Sequence, residues 1–121
     1  MTSNQFRQLA LSLPDVVENA HMKHPDFRAN GKIFATLSYP DEQWAMVKLS
    51  LEDQEEFMRE EPDMFVPANG AWGRKGCTHV ILGKASQRDL KAAIVAAWRN
   101  YAPDDVALAG LKRKMSKRAA R

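Results

Sequence analysis

The dipeptide Asn30-Gly31 constrains the fold more than any other feature, because it separates two stretches with β-strand character. A type I′ hairpin turn needs a positive φ at both central residues, and Asn-Gly adopts it readily. Residues 27–29 precede the dipeptide, residues 32–39 alternate in polarity after it, and residues 44–49 alternate again beyond a turn at Pro40. The pattern predicts a three-stranded antiparallel meander. Its middle strand has one face formed by Ile33, Ala35, Leu37 and Tyr39 and another formed by Phe34, Thr36 and Ser38.

Three helices are predicted around this meander. Thr2 and Gln5 have the spacing of a capping box and begin a helix over about residues 3–13. Ser50, followed by acidic residues, begins a second helix over about residues 51–60, whose apolar stripe is thin. Ser86 begins the third, which carries a long apolar stripe. With short apolar segments at 64–67 and 78–82, the prediction is an α+β fold in which an antiparallel sheet of about five strands is covered by N-terminal, middle and C-terminal helices.

The charge of the chain is unevenly distributed. Its 121 residues contain 18 Lys+Arg and 15 Asp+Glu, for a net charge of +3. Residues 110–121 hold six cations and no acid, so residues 1–109 carry a net −3. We therefore predict one domain over residues 1–102 and a basic, flexible tail over 103–121. The tail is either a solubilising segment or one that forms an amphipathic helix on an anionic partner, since Leu108, Leu111 and Met115 share a helical face.

Cysteine content and hydropathy indicate the compartment. The single Cys77 excludes an intramolecular disulfide and suits a reducing cytosol. No apolar run reaches the roughly 18 residues of a membrane span, and the N-terminus lacks the features of a signal peptide. We expect a cytoplasmic protein that does not contact membranes and is a monomer or a weak dimer.

Several short motifs, taken in order, resemble the MmcQ/YjbR-like family. They are Leu11-Ser12-Leu13-Pro14, Glu18, His24-Pro25-Asp26-Phe27-Arg28, Gly31-Lys32-Ile33-Phe34-Ala35, Val47-Lys48-Leu49, Trp72 and Tyr101. The resemblance covers about residues 3–101. It implies a fold similar to the frataxin/CyaY type, and members are often labelled DNA-binding on the strength of a "double-wing" hairpin arrangement. It brings no catalytic residues.

Metal binding and catalysis are weakly indicated. His21 and His24 lie more than fifty residues from Cys77 and His79, without the spacing of a zinc motif, so we expect no metal and no cofactor. We expect His24 in a turn. Cys77 and His79 share a strand face, but no Asn or Asp that would orient the imidazole is evident. The acidic residues between 52 and 63 are explained as a solvated helix face. An enzyme is therefore not favoured.

The glycine-rich segment 70–76 has two interpretations. Because it leads into a strand, it does not match a phosphate loop that opens a helix. It is either a flexible connection between strands or a binding loop in which Trp72 stacks on bases and Arg74 and Lys75 contact phosphates. The full set of candidate nucleic-acid-binding residues is Arg28, Lys32, Lys48, Trp72, Arg74, Lys75, Lys112, Arg113, Lys114, Lys117 and Arg118.

Two functions follow from these patterns. The first is a small binding module that contacts nucleic acid through its hairpins and basic tail. The alternative is a non-catalytic domain that binds a small ligand or a protein through the sheet face and the Trp72 loop. A pocket lined by Trp44, Trp72 and Arg28 would favour the alternative.

Overall fold

The computed structural model describes residues 2–21, 23–38 and 42–101. The elements, in chain order, are α1 (Ser3–Leu11), β1 (Val16–His21), β2 (His24–Ala29), β3 (Lys32–Leu37), β4 (Trp44–Lys48), α2 (Leu51–Glu60), β5 (Phe65–Pro67), α3 (Gly70–Arg74), β6 (Cys77–Ile81), a 3₁₀ turn (Leu82–Lys84) and α4 (Gln87–Arg99). In this part of the chain no helix is long and apolar enough to cross a membrane. The predicted tail lies outside the described residues.

The strands form one antiparallel sheet in the order β1-β2-β3-β4-β6-β5. This confirms the α+β class, with one strand more than the expected five. Asn30 and Gly31 have φ values of 54° and 75°, as the predicted hairpin turn requires. His24 begins β2 rather than lying in a turn, because β1 and β2 form a further hairpin in which His21 pairs with His24.

A β-bulge in β3 changes the predicted faces of that strand. Phe27 pairs with Ala35, whereas the next residue, Arg28, pairs with Ile33, so that Phe34 is an extra residue. Phe34 and Ala35 are consequently both fully buried. The expectation that Ile33 shares a face with Ala35 is wrong, because the bulge interrupts strict alternation and turns Ile33 toward the face of Arg28.

Helices α1, α2 and α4 all cover the same face of the sheet. Phe6 of α1 packs against Phe27 with ring centroids 5.9 Å apart. Phe57 of α2 packs against Phe65 of β5 at 5.2 Å. The buried residues of α4 are Leu90, Ala93, Ile94, Ala96, Ala97 and Trp98, which confirms the predicted stripe. The capping box of Thr2 and the caps at Ser50 and Ser86 are also confirmed.

The glycine-rich segment is a packed helix and not a flexible loop. Gly73 lies in α3, and a Cβ atom at this position would approach the carbonyl oxygen of Ala68 to 1.9 Å. Gly76 has a φ of 101°, and its Cβ would approach the carbonyl oxygen of Leu49 equally closely. Both glycines therefore allow two backbone segments to pack in direct contact. A flexible connection between strands would not require this contact.

Candidate nucleic-acid interface

The position of α3 is fixed by a buried glutamine of α2. Gln54 Nε2 donates hydrogen bonds to the carbonyl oxygen of Gly73 at 3.0 Å and to Oγ1 of Thr78 at 3.1 Å. The Thr78 hydroxyl in turn donates to the carbonyl oxygen of Gly76 at 2.9 Å. Because buried hydrogen bonds have defined geometry, this network holds the C-terminal part of α3 and the residues after it against the rest of the domain.

Helix α3 presents a large aromatic side chain to solvent. Trp72 is 64% exposed, the highest value among the exposed large hydrophobic residues of the described chain. Lys75 follows it by three residues, which is the spacing of neighbours on one helical face. Arg74 and Lys75 are both exposed. We refer to Lys48, Trp72, Arg74 and Lys75 together as the Trp72 corner.

Lys48 belongs to this corner because its strand, β4, pairs with β6, the strand that follows α3. It pairs with Cys77 across the β4–β6 ladder. Burial raises the pKa of the Cys77 thiol, while the positive charges of Lys48 and Lys75 act in the opposite direction. Two ammonium groups from different elements are therefore close enough to influence one thiol, and α3 and β4 contribute cations to the same region.

The last described helix ends at the same corner. The Nδ2 group of Asn100, which caps α4, donates a hydrogen bond to the carbonyl oxygen of Lys48 at 3.3 Å. Burial raises the pKa of the Tyr101 hydroxyl, and the nearby Cys77 adds to that effect. The chain therefore leaves the described domain beside Lys48 and Cys77. The tail candidates Lys112, Arg113, Lys114, Lys117 and Arg118 lie outside the described residues.

Of the two remaining candidate cations, only one shares a face with Lys48. Arg28 pairs with Ile33 and Lys32 pairs with Ala29, so successive residues place Arg28 and Lys32 on opposite faces. Arg28 lies on the face without helices, about 10 Å from Lys48 across β3. Lys32 lies at the hairpin tip on the other side and is exposed. The structure thus places Arg28 on the same face as Lys48 but outside the Trp72 corner, and it places Lys32 on the opposite face.

Most acidic residues of the described chain lie in one segment. Seven of them lie between residues 52 and 63, in α2 and the turn after it. The rest of the described chain carries eleven cations and five acids. Because α2 packs on the helix-covered face of the sheet, its exposed carboxylates point away from the other face. The acids are therefore concentrated on one helix, and Gln54 of that helix also contacts α3.

The histidines and cysteine considered for a metal site lie in different parts of the sheet. His24 begins β2, and three strand spacings, or about 14 Å, separate β2 from β6, which carries Cys77 and His79. Among the described residues no group of three or more His, Cys, Asp or Glu side chains lies close enough to hold a metal ion. Burial raises the pKa of Cys77 and lowers that of His79, which keeps the thiol protonated and the imidazole neutral.

The residues named for a small-ligand pocket are spread along the sheet. Trp44 pairs with Ile81 at one end of β6, whereas Trp72 lies just before the other end. A groove of about 530 Å³ lies elsewhere and is lined by Thr2, Ser3, Ser38, Glu42, Gln43, Leu82 and Gly83. This geometry provides no shared cavity for the two tryptophans.

Two residues that matter for the geometry were not singled out from the sequence. Gln54 is buried although polar, and its spacing from Leu51 and Met58 places it on their helical face, which was the available signal. Asp26 is fully buried and accepts two hydrogen bonds from Arg28. Asp26 and Arg28 are two positions apart along a strand and therefore lie on one face, which was the available signal.

The model of the YjbR family matches residues 11–100. The chain belongs to the YjbR family. This confirms the resemblance seen in the sequence motifs, and the match includes every element from β1 to α4 together with all residues of the Trp72 corner.

A solved structure shares this fold. It is the crystal structure of the Deinococcus radiodurans protein DR2400, described by the family-model domain DUF419. The TM-score is 0.68 at 17% sequence identity, over 80% of this chain and 75% of that one. At this identity the likeness concerns the fold. None of the curated proteins compared with this YjbR chain matches it.

Proposed function

We propose that this YjbR-family protein binds nucleic acid at the Trp72 corner, with the cationic C-terminal segment adding contacts that do not depend on sequence. One observation carries the proposal. The packed helix α3 presents Trp72, 64% exposed, beside Arg74 and Lys75.

The exposed tryptophan is the first support. Exposed apolar side chains are common singly, but a tryptophan held on a well-fixed element is typical of binding hot spots. Its indole offers a flat π-surface on which any nucleobase can stack. Gln54 and the two close-packed glycines limit the motion of α3, so little conformational entropy is lost when a base stacks on it.

The charges around Trp72 are the second support. Lys48, Arg74 and Lys75 come from β4 and the α3 region, and each can neutralise a phosphate. The acids of α2 lie on the helix-covered side of the sheet, whereas Lys48 lies on the other side. These three cations are the local positive charge on which the proposal relies.

The basic segment is the third support. Residues 110–121 contain six cations and no acid, and residues 102–109, which include Asp104 and Asp105, connect them to Tyr101. Each phosphate neutralised releases counterions, so the logarithm of affinity falls with the logarithm of salt by about 0.9 per contact. A segment tethered at the corner raises the effective concentration of cations there.

A salt titration of the full-length protein tests this proposal. Fluorescence anisotropy of a labelled oligonucleotide at about 50 to 200 mM salt gives both the affinity and its salt slope. We expect Arg74→Glu with Lys75→Glu to weaken binding at least tenfold. Replacing Lys112, Arg113, Lys114, Lys117 and Arg118 by Gln should lower the slope by several units.

A matched charge change provides the control. Lys84 and Lys91 are exposed and lie at the opposite end of the domain, after β6 and early in α4. The pair Lys84→Glu and Lys91→Glu alters the net charge by the same amount and should weaken binding far less. If both pairs of substitutions weaken binding equally, the interaction depends on the net charge of the protein and not on the Trp72 corner. If no binding is detected at the lowest salt, the proposal is wrong.

A further inference from the structure

The sheet has one face on which none of the described helices packs its buried residues. We call it the open face. Alternation and the strand register assign to it Val17, Asn19, Asp26, Arg28, Ile33, Thr36, Trp44, Met46, Lys48, Val66, Cys77, His79 and Ile81. Lys48 belongs both to this face and to the Trp72 corner, so the two surfaces are continuous.

The open face is largely apolar and its accessible charge is positive. Ile33, Met46 and Ile81 are half-buried, and Val17 is 59% exposed. Its cations are Arg28 and Lys48. Its one carboxylate, among the residues assigned here, is Asp26, and that side chain is fully buried. A ligand lying on this face therefore meets apolar side chains and two cations, with no exposed acid from that set.

The guanidinium of Arg28 is held in a fixed orientation. Arg28 Nε donates to Asp26 Oδ1 at 2.8 Å, and Nη2 donates to Oδ2 at 3.2 Å. These bonds use two of the five N–H donors of the guanidinium. The side chain of Arg28 stays 33% exposed. Donors on its other edge are therefore available to a phosphate, and the group needs no further ordering to bind one.

Two rings lie together near the far end of β4 and β6. Trp44 and His79 meet edge to face, with centroids 5.4 Å apart and planes at 86°. Burial lowers the pKa of His79, so the imidazole is neutral at physiological pH. Trp44 is half-buried, which leaves part of its indole accessible. The pair forms an aromatic platform on the same strand as Met46 and Lys48.

We infer that the open face binds a single-stranded segment of nucleic acid, with bases on Trp44 and Met46 and phosphates at Arg28 and Lys48. This inference rests on the proposed function and names its substrate class. Lys48 and Trp44 are about 14 Å apart along β4, a distance that suits a segment of a few nucleotides.

The apolar character of the face favours unpaired bases. A duplex presents its phosphates outward and keeps its bases stacked inside, so it would leave Ile33, Met46 and Trp44 without partners. An unpaired strand can turn its bases onto these side chains while its backbone follows the cations. A second copy of this chain is disfavoured, because symmetric pairing through this face would bury the cations Arg28 and Lys48 of both copies without an exposed acid from the same set to pair with them.

Tryptophan fluorescence tests this inference without altering the face. The chain contains three tryptophans. Trp98 is 1% exposed and donates to the carbonyl oxygen of Pro14, so it is shielded from ligand. The full-length Trp72→Phe variant keeps an aromatic corner and leaves Trp44 as the accessible reporter. We expect an oligothymidine of about 20 nucleotides to quench its emission, and a duplex of equal length to leave that emission unchanged.

Substitutions on the face measure its contribution. Trp44→Ala should weaken oligothymidine binding about tenfold, and Trp44→Phe should restore most of it. Arg28→Lys keeps the charge but loses the two-pronged contact with Asp26, and we expect it to weaken single-strand binding severalfold. Duplex binding should change little in each variant. Leu51→Ala, an exposed apolar change on the other side of the sheet, is the control.

The outcomes separate this inference from the function on which it rests. If oligothymidine leaves the Trp44 emission unchanged while Arg74→Glu with Lys75→Glu weakens binding, the open face is not the site and the corner remains. If Trp44→Ala abolishes a dimer seen by sedimentation and has no effect on oligothymidine affinity, the face is an interface between copies and the inference is overturned. If neither nucleic acid binds, both proposals fail.

Discussion

The side-chain amide of Gln54 donates a hydrogen bond to the carbonyl oxygen of Gly73 over 3.0 Å and so ties α2 to the helix that carries Trp72. Gln54 is uncharged and 8% exposed, and it does not belong to the surface offered to a ligand. Gln54 matters because it fixes the position of α3. The corner is therefore supported by a buried polar network beneath it, and this network is the most direct place to test its rigidity.

Gln54→Ala should lower the free energy of unfolding by about 1 to 3 kcal/mol, because the carbonyl oxygen of Gly73 and the hydroxyl of Thr78 lose a buried donor. Urea unfolding followed by circular dichroism measures the change. Glu55→Ala, one position along the same helix and exposed, should stay within about 0.5 kcal/mol of the parent. Equal effects of the two substitutions would contradict a structural role for the network.

Glycine substitutions distinguish a packed segment from a flexible one. Gly76→Ala should cost about 2 kcal/mol or more, because φ is 101° and the new Cβ would meet the carbonyl oxygen of Leu49 at 1.9 Å. Gly83→Ala meets no atom within 4 Å and has no positive φ in the left-handed region, so it should change stability by less than about 1 kcal/mol. Thermal unfolding of both variants checks this, and a stable Gly76→Ala protein would refute the packing argument.

The parts of the fold that could be predicted from the sequence depend on local signals. Asn30-Gly31 determines a turn through its own backbone preferences, and Thr2 with Gln5 caps a helix without help from the rest of the chain. The apolar stripe of α4 also follows from spacing within a single element. Each of these signals depends on a few neighbouring residues, so it can be identified in a single sequence.

The parts that could not be predicted depend on contacts between distant segments. In the sequence, Gly73 and Gly76 are typical of a flexible loop. Their packing role depends on the backbones of Ala68 and Leu49, which lie beside them only in the folded chain. The bulge at Phe34 depends on how β3 pairs with β2. The composition of the corner could be predicted, but its rigidity and its continuity with the open face required the tertiary structure.

The pH dependence of stability should contain a contribution from His79. Burial lowers its pKa below the ordinary value of 6.5, so the unfolded chain binds a proton more readily than the folded one. Stability from this group is complete above the unfolded pKa and is lost as pH falls below it. His79→Gln should therefore show a smaller loss of stability than the parent between about pH 7.5 and pH 5.5, measured as the shift in urea midpoint. Equal shifts in the two proteins would show that His79 does not contribute.

The reactivity of Cys77 should report both its burial and its cationic neighbours. It is the single cysteine of the chain and is 5% exposed, and burial raises the pKa of its thiol above the ordinary 9.0. The thiolate is the reactive form, so a disulfide reagent should modify the native protein at least about tenfold more slowly than the urea-unfolded protein. Because Lys48 and Lys75 oppose the shift, Lys75→Gln and Lys48→Gln should each slow the native reaction further. Lys84→Gln, distant from the thiol, should not. If neither neighbouring substitution slows the reaction, the two ammonium groups do not act on the thiol together, and the Trp72 corner loses the electrostatic link between β4 and the α3 region.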